Sequence, residues 1–105
     1  MFTGIVEETG VVESVRQTEK SIELGVRAKI CGKGTKIGSS LAINGCCLTV
    51  VKARQKGKYK LLQFDLLIET WNRTNLKHAA PGMLVNLERP ITATGQFGGD
   101  RKSVV

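Results

Sequence analysis

Ile43-Asn44-Gly45-Cys46-Cys47-Leu48-Thr49-Val50 sets a turn dipeptide against an apolar, β-branched run. Asn-Gly favours a type I′ hairpin turn, because both of its residues tolerate positive φ. Past the turn, side chains of a strand alternate between faces, so Cys47 and Thr49 share one side while Cys46, Leu48 and Val50 share the other. A thiol and a hydroxyl on one face can line a pocket. Cysteine is also among the most buried residue types and often packs as a small hydrophobe, and on this segment alone that is the favoured reading.

Outward from this hairpin the chain continues in short β-patterned runs. Ser40–Ile43 pairs with Cys46–Lys52 across the turn, and Gln55-Lys56-Gly57-Lys58 leads into a second hairpin whose return strand is Tyr59–Leu67. Upstream, 28–38 carries Gly32, Gly34 and Gly38 and reads as a loop, Ser21–Val26 as a strand, and Phe2–Val15 as one long or bent strand with a glycine break. Downstream, Ile68, Trp71, Leu76 and Ala79 have helical spacing, which Pro81-Gly82 ends, and Met83–Arg89 alternates as a final strand. About six strands with turn signals and one short helix fit an all-β, small antiparallel barrel better than a doubly wound sheet. The residues from 92 to 105 lack an apolar period. We therefore expect one barrel over 1–97 and a linker start or disordered tail over 98–105.

Length, composition and charge narrow the functional classes. A chain of 105 residues with 41% hydrophobic and 24% charged residues is one globular domain, long enough to bury its own core. Its three cysteines are an odd count, Cys46 and Cys47 are too close for an unstrained mutual disulfide, and no signal peptide is evident. Reduced thiols in a cytoplasm are expected. A single histidine, His78, and no C-x-x-C pair argue against zinc, and no run is long enough to span a bilayer. A net charge of +7 suits a nucleic-acid binder, yet the aromatics are few and the cations fall mostly in or beside loops between Lys29 and Lys60. A solvated basic surface, attractive to small anions, is the preferred reading, and single-stranded nucleic acid remains a remote alternative partner.

Six spaced blocks carry a family resemblance: Met1–Glu7, Asn44–Val50, Phe64-Asp65, Glu69-Thr70, Thr74-Asn75-Leu76, and Gly82 with Val85–Arg89. Together, from Met1 to about Gly99, they resemble the N-terminal half of riboflavin synthase and the related lumazine proteins. The resemblance implies a six-stranded antiparallel Greek-key barrel that binds 6,7-dimethyl-8-ribityllumazine and riboflavin, with no metal or redox cofactor. In the family, two lumazines held by barrels of different subunits exchange a four-carbon unit to make riboflavin. By the same resemblance, Ser40 and Cys47 are the polar pair near the reacting end of the ring. Thr49, Asp65, Glu69 and Thr70 hold the ribityl chain and pyrimidine, and Gly4, Ile5 and Val6 form the strand whose backbone approaches the ring.

The residues themselves also allow plainer roles. Asp65 and Glu69 suit a helix N-terminus, Thr49 an ordinary strand, Ser40 a turn, and Gly4 a bulge. Glu88-Arg89 suits a structural ion pair, Trp71 the core, and His78 an exposed helix end. The family continues past its Gly-Gly through junction histidines into a second barrel, whereas Gly98-Gly99 here is followed by Asp100. The expectation is a lumazine-binding domain with little or no turnover by itself. It would act in a homo-oligomer, a dimer of barrels if single-domain or a trimer if part of a full-length enzyme. The alternative is a non-catalytic antenna or storage protein.

Overall fold

The computed structural model describes residues 5–90. The expected tail, the boundary at 97 and Gly4 lie outside that range. The described elements are β1 (Glu8–Gln17), β2 (Ser21–Ala28), β3 (Ser40–Ile43), β4 (Cys46–Lys56), β5 (Tyr59–Leu67), α1 (Ile68–Arg73), a 3-10 turn (Asn75–His78) and β6 (Leu84–Glu88). The strands close into an antiparallel barrel in the order β1-β2-β5-β4-β3-β6. Consecutive hairpins join β3, β4 and β5, while β2 returns through the long 29–39 connection to lie beside β5, which is a Greek-key arrangement.

The hairpin at the centre of the sequence forms as its turn chemistry requires. Asn44 and Gly45 adopt φ of 50° and 83°, and Ile43 pairs with Cys46 across them. Asn44 is also tied to β6, because its Oδ1 accepts the Asn86 N–H at 2.7 Å and its own N–H donates to the Asn86 carbonyl at 2.8 Å. Alternation then puts Leu41, Ile43, Leu48 and Val50 inside, where they meet Leu24, Val26, Leu62, Phe64, Val85 and Leu87 in one buried cluster. Each fully buried aliphatic or aromatic side chain contributes roughly 1.5–3 kcal/mol over leaving it exposed.

Four details differ from the sequence expectations. Among the described residues β1 starts at Glu8, with 5–7 outside it, and its irregularity falls between Val12 and Ser14 instead of at Gly10. Gly10 lies within the strand, where a Cβ would stand 2.6 Å from Leu87 Cδ1 and 2.8 Å from the Arg27 carbonyl oxygen. The single helix is interrupted at Thr74, whose hydroxyl donates to the Trp71 carbonyl (3.2 Å) and accepts the Leu76 N–H (3.3 Å). Such a short polar side chain competes with the helical backbone for its own hydrogen bonds. Trp71 and Leu76 on either side of the break are buried in the core cluster, so the helical spacing of apolar residues is preserved without a continuous helix. β6 begins at Leu84, leaving Met83 exposed while Val85 and Leu87 point inward.

Arg89 does not pair with its neighbour Glu88 as the sequence suggested. It forms a bidentate contact with Glu7, Nε and Nη2 each donating at 3.0 Å, while Glu88 is buried. Glu8 reaches the other way and accepts the main-chain N–H groups of Lys29 and Cys31, both at 2.6 Å. The two consecutive glutamates therefore clamp the start of β1 to the end of β6 and to the 29–31 loop.

Candidate functional site

The β4–β5 ladder runs from Lys56↔Tyr59 to Val50↔Phe64 and stops there. Beyond it, 46–49 pairs with β3 and 65–67 pairs with β2. Continuing the register would set Thr49 opposite Asp65 and Cys47 opposite Leu67, but these positions form a seam between the strands without ladder pairing. All four side chains are exposed. Polar and less polar groups therefore alternate along both sides of the seam, a hydroxyl and a thiol on β4 and a carboxylate and an isobutyl group on β5.

Ser40 stands directly opposite Thr49, and Ala42 opposite Cys47, so both lie on the outer side of the sheet beside the seam, Ser40 half-buried and Ala42 covered. Ser40 is a strand residue and not the turn group; the neighbouring Ser39 hydroxyl accepts the Lys36 N–H at 3.1 Å instead. The outward row continues from Cys47 through Ala42 to Glu88 of β6. At that end a cleft of about 360 Å³ is lined by Val6, Ala42, Asn75, Asn86 and Glu88 among others. Val6 thus reaches the same outer face as Cys47, whereas Ile5 and Val6 precede β1 and are not part of a strand.

The helix residues stand apart in role. Asp65 belongs to β5, so it is not a helix N-terminal group, and its cross-strand partner is Glu23. Glu69 lies in the first turn of α1 and its carboxylate is 3.8 Å from Arg73, an exposed i,i+4 pair. Thr70 is half-buried on the same helix. Sequence reasoning missed Leu67, which is 67% exposed at the end of β5, and Ala42, which stands in the row of Cys47 but is covered. The doubled Leu66-Leu67 held a signal for the first, since two adjacent strand residues cannot both face the core.

The three cysteines are free thiols with different surroundings. Cys31 is fully buried beside Glu7, and burial together with the charges of Glu7 and Glu8 pushes its pKa up to about 12. Burial, then the neighbouring Cys47, raises that of Cys46 as well. The Arg89 guanidinium holds the Glu7 carboxyl below its ordinary value. Among the described residues there is no group of three or more His, Cys, Asp or Glu side chains placed to hold a metal ion. None of the described helices is long and apolar enough to cross a membrane.

The fold and the site define a small six-stranded closed antiparallel barrel with exposed polar and apolar side chains along one seam of its outer wall. Comparison with known proteins names the family: the model of the lumazine binding domain matches residues 3–90, and the chain belongs to that family. It is 41% identical over 101 residues to riboflavin synthase of Bacillus amyloliquefaciens, a match that covers 94% of this chain and 44% of that protein. Riboflavin synthase of Mycobacterium tuberculosis is 39% identical over 99 residues, 94% of this chain and 48% of the other. The chain therefore spans about half the length of the curated relatives it matches. Among solved structures, LumP complexed with 6,7-dimethyl-8-(1′-D-ribityl) lumazine superposes with a TM-score of 0.74 at 28% identity, over 93% of this chain and 52% of that one. LumP complexed with flavin mononucleotide gives 0.72 at 30% identity, over 85% and 49%.

Proposed function

We propose that the barrel binds one molecule of 6,7-dimethyl-8-ribityllumazine or riboflavin on its outer wall at the β4–β5 seam, as a riboflavin synthase-type domain. The observation that carries this reading is the end of the β4–β5 ladder at Val50↔Phe64, which leaves Thr49, Asp65, Cys47 and Leu67 exposed along one seam. A polyol needs convergent hydroxyl and carboxylate partners, supplied by Thr49 and Asp65, with Glu69 and Thr70 at the adjoining helix start. A flat ring needs apolar walls and close backbone; Leu67 offers such a wall beside the seam and Val6 lies on the same outer face, and the family resemblance adds Gly4 and Ile5. Ser40 and Cys47 then stand by the reacting end of the ring.

The four-carbon transfer joins two lumazines, so a second barrel must present its ligand to the first. Holding the pair in one orientation is the main catalytic contribution. A homo-oligomer provides that arrangement, and free thiols are consistent with a cytoplasmic setting. The test is a fluorescence titration of the purified protein with riboflavin. Thr49→Ala and Asp65→Ala should each weaken binding, the latter by about 1.5–3 kcal/mol for a hydrogen bond to a charged group, with melting temperatures close to that of the parent. Unchanged emission at saturating protein, or full affinity in both variants, would reject the seam as the site.

A further inference from the structure

Two segments that pack against each other away from the seam carry eight of the protein's 16 lysines and arginines. The 29–36 loop carries Lys29, Lys33 and Lys36, and the turn region 52–60 carries Lys52, Arg54, Lys56, Lys58 and Lys60, with no Asp or Glu in either segment. They are held together by Lys60, whose Nζ donates to the Thr35 carbonyl at 2.7 Å, and by Gly32, where an added Cβ would lie 2.9 Å from Lys60 Cβ. Between them is a cleft of about 290 Å³ lined by Lys29, Lys33, Lys58, Lys60, Gln55 and the two glycines of the loop. Glu8 reaches this loop but directs both carboxylate oxygens to the N–H groups of Lys29 and Cys31. Glu13 is 3.8 Å from Lys56, which does not line the cleft.

We propose that this cleft is a second binding site, for a compact oligophosphate anion such as a diphosphate or triphosphate group. Four lysines line one small cavity, Lys29, Lys33 and Lys58 exposed and Lys60 with its Nζ already on the Thr35 carbonyl, so that several charge-assisted donors on adjustable side chains are within reach of a tetrahedral anion. Its volume is near the lower end of small-ligand pockets and suits a phosphate chain better than a whole coenzyme. The surroundings argue against a nucleic-acid strand. Sequence-tolerant strand binding needs exposed aromatic faces for base stacking. Of the described aromatics, Phe64 and Trp71 are buried, and Tyr59 is covered by the Arg27 guanidinium at 5.5 Å from its ring centroid.

Calorimetric titration with inorganic tripolyphosphate, ATP and a single-stranded oligonucleotide separates the sources of that phosphate chemistry. Tripolyphosphate and ATP should bind with similar affinity, weakened by added salt. Lys33→Gln combined with Lys58→Gln should lower both affinities by about tenfold or more, as expected from losing two charge-assisted contacts. Riboflavin binding should stay unchanged in that variant, so failure here and failure of the seam reading are distinguishable. Tripolyphosphate binding that is absent, or that survives the double substitution, would overturn the proposal. Oligonucleotide affinity that exceeds that of ATP and rises with strand length would overturn it in favour of a nucleic-acid surface.

Discussion

Cys31, Cys46 and Cys47 show how one residue type is assigned three fates by its surroundings. Cys31 is sealed in the core with its thiol 3.6 Å from a Glu7 oxygen, Cys46 is half-buried, and Cys47 stands exposed on the seam. Reactivity follows access and thiolate fraction. A maleimide at neutral pH should therefore label Cys47 first and Cys46 more slowly, with Cys31 reacting only on unfolding; mass mapping of the labelled sites over time reads the order. Saturating riboflavin should slow Cys47 selectively if the seam holds the ring. Labelling of Cys31 at the rate of Cys47 in the folded protein would contradict its buried placement.

At the scale of elements, the strands depend on glycines for two separate reasons. Gly45 is in the left-handed region at φ of 83° with no neighbouring atom within 4 Å of an added Cβ, so Gly45→Ala costs only backbone strain, about 1–2 kcal/mol. Gly10 has no such torsional need. It lies where β1 crosses beneath Leu87 and the Arg27 carbonyl, so Gly10→Ala forces a repacking of about 1–3 kcal/mol. Urea unfolding of the two variants should place Gly10→Ala below Gly45→Ala in stability, and the reverse order would show that β1 can move away from β6 without loss. The turn glycine was legible in the Asn-Gly dipeptide. The strand glycine read as a break, because close approach between β1 and β6 joins residues far apart in the sequence.

On the scale of the whole molecule, the described barrel presents one seam, while the proposed reaction consumes two lumazines. A displacement of about 1 Å in a reacting group can already cost on the order of 100-fold in rate. This chain alone should accordingly form little or no riboflavin from 6,7-dimethyl-8-ribityllumazine, with recovery when the remaining half of a riboflavin synthase is supplied in trans. Absorbance at the flavin band follows the product. Steady turnover by the 105-residue chain, lost in Cys47→Ala, would show that paired copies of this barrel suffice.

What the sequence determined by itself is local and periodic. The Asn44-Gly45 turn, the face shared by Cys47 and Thr49, the opposite face of Leu48 and Val50 and the buried Trp71 follow from turn chemistry and from alternation, which act over a few residues; that Cys47 is exposed, and not packed as the small buried hydrophobe its segment alone favoured, came from the barrel. Only the tertiary structure decided where the β4–β5 ladder stops, that Arg89 meets Glu7 instead of Glu88, and that Ala42 and Glu88 share an outward row with Cys47. Each of these depends on the register between strands distant in the chain. Barrel closure fixes that register through the packing of the whole core, and no short stretch of sequence encodes it.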